Sequence, residues 1–418
     1  MPQDRLLVIT SYPVKGKIHG VGTVGIASYT KNTLLNILKA AKTAGVSLQI
    51  TVLAEKLSPE QSREYTEDGI KVRRIWQRGS IGSFLEIYRE VLKEEADRIL
   101  LEFEVFMFGN PLNLFFFPML LLLIKIKSKK IYFVPHQIIA DINDLSGHIN
   151  LQKNSLGVKF LNVLIDLFFR ISIQLTFQTI VFEESLKKKF RGNLLKKIKV
   201  IPHGVERVTP VLTAGEARKQ LGIKDEFVVL YFGFLAWYKG ADWLVENIKD
   251  QNIKLIIAGG ANPNHLDKPY YHKYLKSIEE AAEASNGKIT VTGFVEEKNI
   301  ELYFRAADLV ILPYRTFMSS SGPMSIAFSF GKPVILSDAL LPYKATPDFA
   351  MCMEEVNLSD EEIFFSLSDD SLNKILSGIK SHGLGKLADF SLLMKEKRSF
   401  NRIGEDYFRF IFDDEKTF

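Results

Sequence analysis

Short apolar runs of strand length alternate with helix-period segments along this chain, and the alternation stops once and begins again. The first series of strands reads Leu6–Thr10, Leu48–Leu53, Ile70–Ile75, Ile99–Phe103, Ile131–Val134, Thr179–Phe182 and Lys199–Ile201, with helical periodicity near residues 83–96, 111–126, 155–175 and 184–190. Parallel strands need a crossover that returns the chain to the same end of the sheet, so this alternation specifies a doubly wound parallel sheet. From Ile201 to Phe227 come two prolines, a short charged helix and no long apolar strand, the composition of a linker. The pattern restarts with Val228–Phe232, Lys254–Ala258, Lys288–Thr292, Leu309–Leu312 and Val334–Ser337, separated by helical segments near 240–249, 270–285, 296–306 and 323–330. The expected architecture is α/β, with two doubly wound Rossmann-like domains spanning 1–205 and 206–389. A chain of 418 residues is long enough for two such cores.

Composition narrows the function classes. A net charge of +5 does not demand nucleic acid as a partner. The basic residues nonetheless cluster at Lys125, Lys127, Lys129 and Lys130, at Lys187–Lys189 with Arg191, and at Lys196, Lys197 and Lys199. Such runs read either as solvated faces or as contacts for anionic headgroups. Cys352 is the single cysteine, which leaves no disulfide framework and no cysteine-based metal site. The start, MPQDRLLVITSYP, reads as a strand rather than a signal peptide, so the expected location is cytoplasmic. Two apolar segments need a membrane check. NLFFFPMLLLLI is too short to span a bilayer and holds Pro118, and 156–175 carries a stripe of Lys159, Asn162, Asp166 and Arg170. Neither is transmembrane; each either packs in a core or touches a membrane surface as a peripheral element.

In open α/β sheets, ligands bind beyond the carboxyl ends of the strands, and the residues suited to chemistry recur there. Gly20, Gly22 and Gly25 open the first helix, a spacing like that of a dinucleotide loop. The acid that should end the second strand is replaced at best by Glu55, so a nicotinamide dinucleotide is poorly matched. Lys239 follows the Val228–Phe232 strand, between Gly233 and Gly240; Gly259-Gly260 and Gly293-Phe294-Val295 end the next two. After DLVILP comes SSSGPMSIAFSFGKPVI, in which Ser321 or Gly322 suits a helix cap and Pro323 the first helical position. A helix opening at a strand's end presents unpaired N–H groups and the positive end of its dipole, an anion site suited to phosphate. His136 ends the IYFVPH strand, and Asp141, Asn143 and Asp144 follow in a polar loop that suits turn chemistry better than metal.

These motifs resemble those of the retaining glycosyltransferases of family four (group 1), which have the GT-B fold. The resemblance is carried by the Gly20–Gly25 loop, IPHGVE, GFLAWYKGADWL, IIAGG, VTGFVEEKNIELYFRAADLVILPY, SSSGPMSIAFSFGKPVI and RSFNRIG. It implies two domains facing across a cleft, with a terminal helix from about 390 to 418 packing back on the first. It implies a nucleoside-diphosphate-sugar donor, no metal or other cofactor, and a glycan or lipid-linked acceptor. Lys239 would bind the diphosphate with Ser320, Ser321 and Gly322, and Gly20 and Gly22 would face it from the first domain. Gly233 and Gly260 would line the donor site, Phe294 and Val295 would cradle the base, and His136 would lie near the transferred sugar. Apart from the resemblance, Asp141 in the polar loop is a candidate for contact with the acceptor or the donor sugar. Three positions depart from the pattern. Phe234 stands where an arginine is usual, Met318 and Ile326 stand where paired glutamates are usual, and Gln137 follows His136 in place of an acid. These departures keep open a non-catalytic nucleotide-sugar-binding scaffold, or another GT-B enzyme such as an epimerase.

Overall fold

The computed structural model describes residues 3–18, 26–57, 62–105, 107–109, 111–139, 141–145, 154–248, 252–262, 266 and 268–413. Two sheets form as the alternation requires. The first contains β1 (Asp4–Ile9), β2 (Leu48–Glu55), β3 (Glu64–Glu67), β4 (Ile70–Trp76), β5 (Arg98–Phe103), β6 (Lys130–Pro135), β7 (Gln178–Val181) and β8 (Ile198–Val200). Their order is β3-β4-β2-β1-β5-β6-β7-β8, parallel throughout except for the antiparallel β3–β4 pair. That hairpin turns on Asp68 and Gly69, both with positive φ. Asp-Gly is the sequence signal for such a turn, but Glu64–Glu67 is too short and polar to read as a strand beforehand.

The second sheet contains β9 (Phe227–Phe232), β10 (Ile253–Ala258), β11 (Ile289–Val291), β12 (Leu309–Leu312), β13 (Val334–Ser337) and β14 (Phe364–Phe365). Its order is β11-β10-β9-β12-β13-β14, with every pair parallel. Strand order reverses direction at β1/β5 in the first sheet and at β9/β12 in the second, the two places where a ligand crevice is expected.

Burial on both faces explains the continuous apolar strands. In β1, Leu7 and Ile9 pack with Phe103, Phe117 and Phe133 on one side. Leu6 and Val8 face the other side, with Leu34, Ile37, Tyr407 and Ile411. The tail read as one helix is two. Helix Gly385–Lys397 gives Leu387, Phe390 and Met394 to the second core, whereas helix Phe400–Phe412 gives Ile403, Tyr407 and Ile411 to the first. The break at Arg398-Ser399 is pinned by backbone bonds to Val205, 2.7 Å from its N–H to the Arg398 carbonyl and 3.1 Å from the Phe400 N–H to its carbonyl. Beyond it, Gly404 lets the final helix press on helix Ile26–Thr43, since a Cβ there would lie 2.5 Å from Asn36. Between the domains, Gln137 and Ser319 form an antiparallel bridge, and the Ser325 hydroxyl lies 3.1 Å from His203 Nδ1.

Candidate functional site

The second domain gathers a cation and a helix terminus at the β9/β12 reversal. Helix Gly322–Ser329 begins at Ser321, whose hydroxyl accepts from the Met324 N–H at 3.3 Å and meets the Tyr314 hydroxyl at 3.0 Å. The Ser321 side chain is therefore occupied as a cap, while Gly322 is exposed with open space beside it. Lys239 ends the turn Trp237–Lys239. A Cβ on Gly233 would lie 3.2 Å from Lys239 Nζ and 3.1 Å from Pro323 Cγ, so ammonium, glycine and helix terminus converge. Lys239 has no ion pair among the described residues, and burial pushes its pKa down to about 8. A desolvated lysine without a carboxylate is suited to receive an anion.

The surrounding loops hold Lys239 in place. Gly240 takes φ 71°, and a Cβ there would fall 2.0 Å from the Pro313 carbonyl oxygen, so only glycine lets this turn lie on the end of β12. Arg315, in the segment that follows β12, clamps the turn. It makes two 2.8 Å bonds to Asp242, donates to the Trp237 carbonyl at 2.5 Å, and stacks its guanidinium 4.9 Å from the Trp237 ring. Sequence reading missed Arg315; its partner Asp242, three residues past Lys239, is the signal that could have found it. At the neighbouring strand ends, a Cβ on Gly260 would sit 2.7 Å from the Phe294 nitrogen, so this glycine brings the two loops together. Phe294 stacks on Phe234 at 6.0 Å and 27°, both rings largely exposed, while Val295 packs against the second core. Phe234 thus supplies an aromatic face where an arginine was expected. Ser320 is half-buried beside the cap.

The first domain fills its strand ends differently. His136 turns inward, its Nε2 2.6 Å from Glu102 and its ring edge-on to Tyr29 and Phe182. Burial drives both groups toward neutrality, pushing Glu102 up and His136 down to about 3. The His136 carbonyl accepts a bond from Ser319, which ties β6 to the segment leading to Ser321. Glu55 receives bonds from Ser11 and the Tyr12 N–H, so the acid nearest the glycine loop is committed to the protein. Glu183, at the end of β7, bonds Arg398 and Thr346 at 2.6 and 2.5 Å, and Arg398 also holds Asp348. Gly20 and Gly22 lie outside the described residues. Asp141 accepts from the Asn143 N–H at 2.8 Å and the Asn162 side chain at 2.7 Å; burial works against its charge, but these bonds keep its pKa low. It serves as a turn and as a clip to helix Leu156–Leu175. Met318 is half-buried and Ile326 packs against the second core.

One acid at these ends is not consumed. Glu104 follows β5, its Oε2 is buried without a hydrogen-bond partner, and burial raises its pKa to about 7, with Arg78 opposing. Its charge reaches Tyr238 in the other domain, the residue before Lys239. The position just past a strand's carboxyl end was the available signal; two acids in LEFEVF obscured which one makes no side-chain hydrogen bond. Among the described residues no group of three or more His, Cys, Asp or Glu is placed to hold a metal.

Residues 214–345 match the family model described as glycosyl transferases group 1. No curated protein sequence matches the chain. Sucrose-phosphate synthase from Thermosynechococcus elongatus is similar in structure at TM-score 0.69 and 16% identity, covering 99% of this chain and 100% of the other. HepE from Anabaena, in complex with UDP and glucose, superposes at TM-score 0.63 and 16% identity, over 97% and 98% of the two chains. A UDP-forming α,α-trehalose-phosphate synthase from Burkholderia xenovorans gives 0.64 and 12%, over 98% and 99%. The chain has the GT-B fold, and the match in its second domain supports a glycosyltransferase built on it.

Proposed function

We propose that this protein transfers a sugar from a nucleoside-diphosphate sugar to an acceptor hydroxyl on a glycan or a lipid-linked sugar, with retention of configuration. The observation that carries the reading is Lys239, half-buried beside the amino terminus of helix Gly322–Ser329 and without a counter-ion among the described residues. Breaking the bond between the anomeric carbon and the diphosphate oxygen leaves growing negative charge on that oxygen. A preorganised ammonium and helix dipole stabilise it as it forms, without reorganisation. The solved structure of HepE with UDP-glucose supports a uridine donor, with the base lying on Phe294. The anomeric carbon forms its new bond to the acceptor oxygen, and the acceptor's proton goes to Glu104, whose pKa near 7 suits a base at neutral pH. His136 acts through its carbonyl as a positioning residue for the Ser319–Gly322 turn. The reaction belongs at the cytoplasmic side of the cell, where nucleotide sugars are made.

The test is a panel of UDP-, GDP- and dTDP-sugars followed by thermal shift and by donor hydrolysis or transfer. Binding with turnover is expected, and Glu104→Gln should keep donor affinity while removing the limb of the rate profile near pH 7. Absence of binding to every donor would defeat the reading. Met318 and Ile326 favour a second one, a protein that binds the donor without transferring it. Saturable binding with no turnover on any acceptor would select that alternative.

A further inference from the structure

Helix Leu156–Leu175 has the composition of a core helix, yet only Val158, Phe169, Ser172 and Ile173 of its 20 residues are buried. Leu156, Phe160, Val163, Leu167 and Ile171 recur at spacings of four, three, four and four, which places them on one face. They are 84%, 63%, 64%, 49% and 37% exposed. Helix Phe117–Ile126 packs beside it and exposes Met119, Leu122 and Ile126, again on one stripe. Packing against the first sheet uses the opposite faces, including Phe117, Leu121 and Phe169. The paired stripes form an apolar patch of the kind that soluble surfaces rarely carry without a partner.

The rim of this patch is basic. Helix Phe117–Ile126 carries Lys125 in its last turn, and the Gly192–Lys197 turn, which packs on helix Leu156–Leu175, carries Lys196 and Lys197. Lys125 and Lys197 both reach the Gln174 carbonyl, at 3.4 and 2.9 Å. The two lysine runs therefore converge at the carboxyl end of helix Leu156–Leu175, beside Ile171. Asp166, the one acid on that helix, is neutralised by Arg170 at 2.6 Å. No described helix is long and apolar enough to cross a membrane.

We propose that the face seats on an anionic lipid bilayer, with the two apolar stripes entering the headgroup–acyl boundary and the lysines pairing with lipid phosphates. An amphipathic surface of this composition binds by buried apolar area and electrostatic attraction together. A second copy of the chain fits less well, because it would bring a second basic surface of the same sign against the first. The docking does not depend on the transfer reaction.

The test is flotation of the full chain with vesicles of phosphatidylcholine alone and of phosphatidylcholine mixed equally with phosphatidylglycerol. Binding to the mixed vesicles is expected, with little to the neutral ones, and should weaken roughly tenfold or more as ionic strength rises several-fold. The double variant Phe160→Glu/Val163→Glu should lose flotation while retaining its melting temperature and nucleotide binding, since both side chains are exposed. Lys188→Glu/Lys196→Glu should weaken binding to anionic vesicles selectively. Failure to float with anionic vesicles would overturn the proposal. So would a dimer in solution that Phe160→Glu/Val163→Glu converts to a monomer.

Discussion

The carboxyl ends of the two sheets occupy equivalent places in the fold and are finished in opposite ways. In the first domain the acids at the strand ends pair with neighbouring side chains, Ser11 with Glu55, His136 with Glu102 and Glu183 with Arg398, although the second oxygen of Glu102 has no partner. In the second, Gly233, Gly259, Gly260 and Gly293 end the strands, and Lys239 is left without a carboxylate among the described residues. Satisfied buried polar groups fix a structure, whereas a desolvated charge with bare backbone around it is an incomplete site. The contrast sets a rim of structural cohesion against one suited to receive an anion, with Glu104 the exception on the first.

Breaking the satisfied rim should have the largest effect. Arg398→Ala leaves Glu183 buried without its partner, and removing one member of a buried ion pair costs about 3–5 kcal/mol. Denaturant unfolding should register that loss, and Arg398→Lys should recover only part of it, because a lysine cannot bond Glu183 and Asp348 with a planar fork. On the open rim, Arg315→Ala should cost less stability than Arg398→Ala, about 1–3 kcal/mol because Asp242 keeps some contact with solvent, and should weaken nucleoside-diphosphate binding by about 1–2 kcal/mol through loss of the charge-assisted bonds that hold the Lys239 turn. Isothermal titration separates it from Arg398→Ala. The smallest effect is expected of Phe234→Ala, about 0.5–1.5 kcal/mol if the Phe234–Phe294 stack supports the base. A Phe234→Arg variant sharpens the contrast: it should tighten diphosphate binding if that position faces the phosphates, and leave it unchanged if it faces only the base.

The same contrast explains how far the sequence could be read. Parallel strands buried on both faces leave long apolar runs, so both sheets and their restart near Val228 were legible. Glycines, Lys239 and the Ser321 cap are local signals and were legible too. What escaped depends on distant pairings. Nothing near His136 in the chain announces Glu102 as its partner, 34 residues earlier, so a buried histidine was read as one facing a sugar. Helix Leu156–Leu175 has enough apolar residues for a core, and only the packing reveals how few of them enter one. The tail's unbroken periodicity hid the turn at Arg398, which is imposed by Glu183 and Asp348 from elsewhere in the chain.

The central claim, that Lys239 is an anion site held ready by burial, is tested most directly by titrating a nucleoside diphosphate into wild type and Lys239→Met across pH 7 to 9.5. Burial sets the free lysine's pKa at about 8, and a bound phosphate returns it upward, so binding takes up a proton as pH rises past that value. Affinity should hold below pH 8 and then fall, approaching tenfold per pH unit. The variant should bind about 2–3 kcal/mol more weakly at pH 7, without the fall that Lys239 contributes above pH 8. Equal affinity and the same pH profile in both proteins would contradict the account.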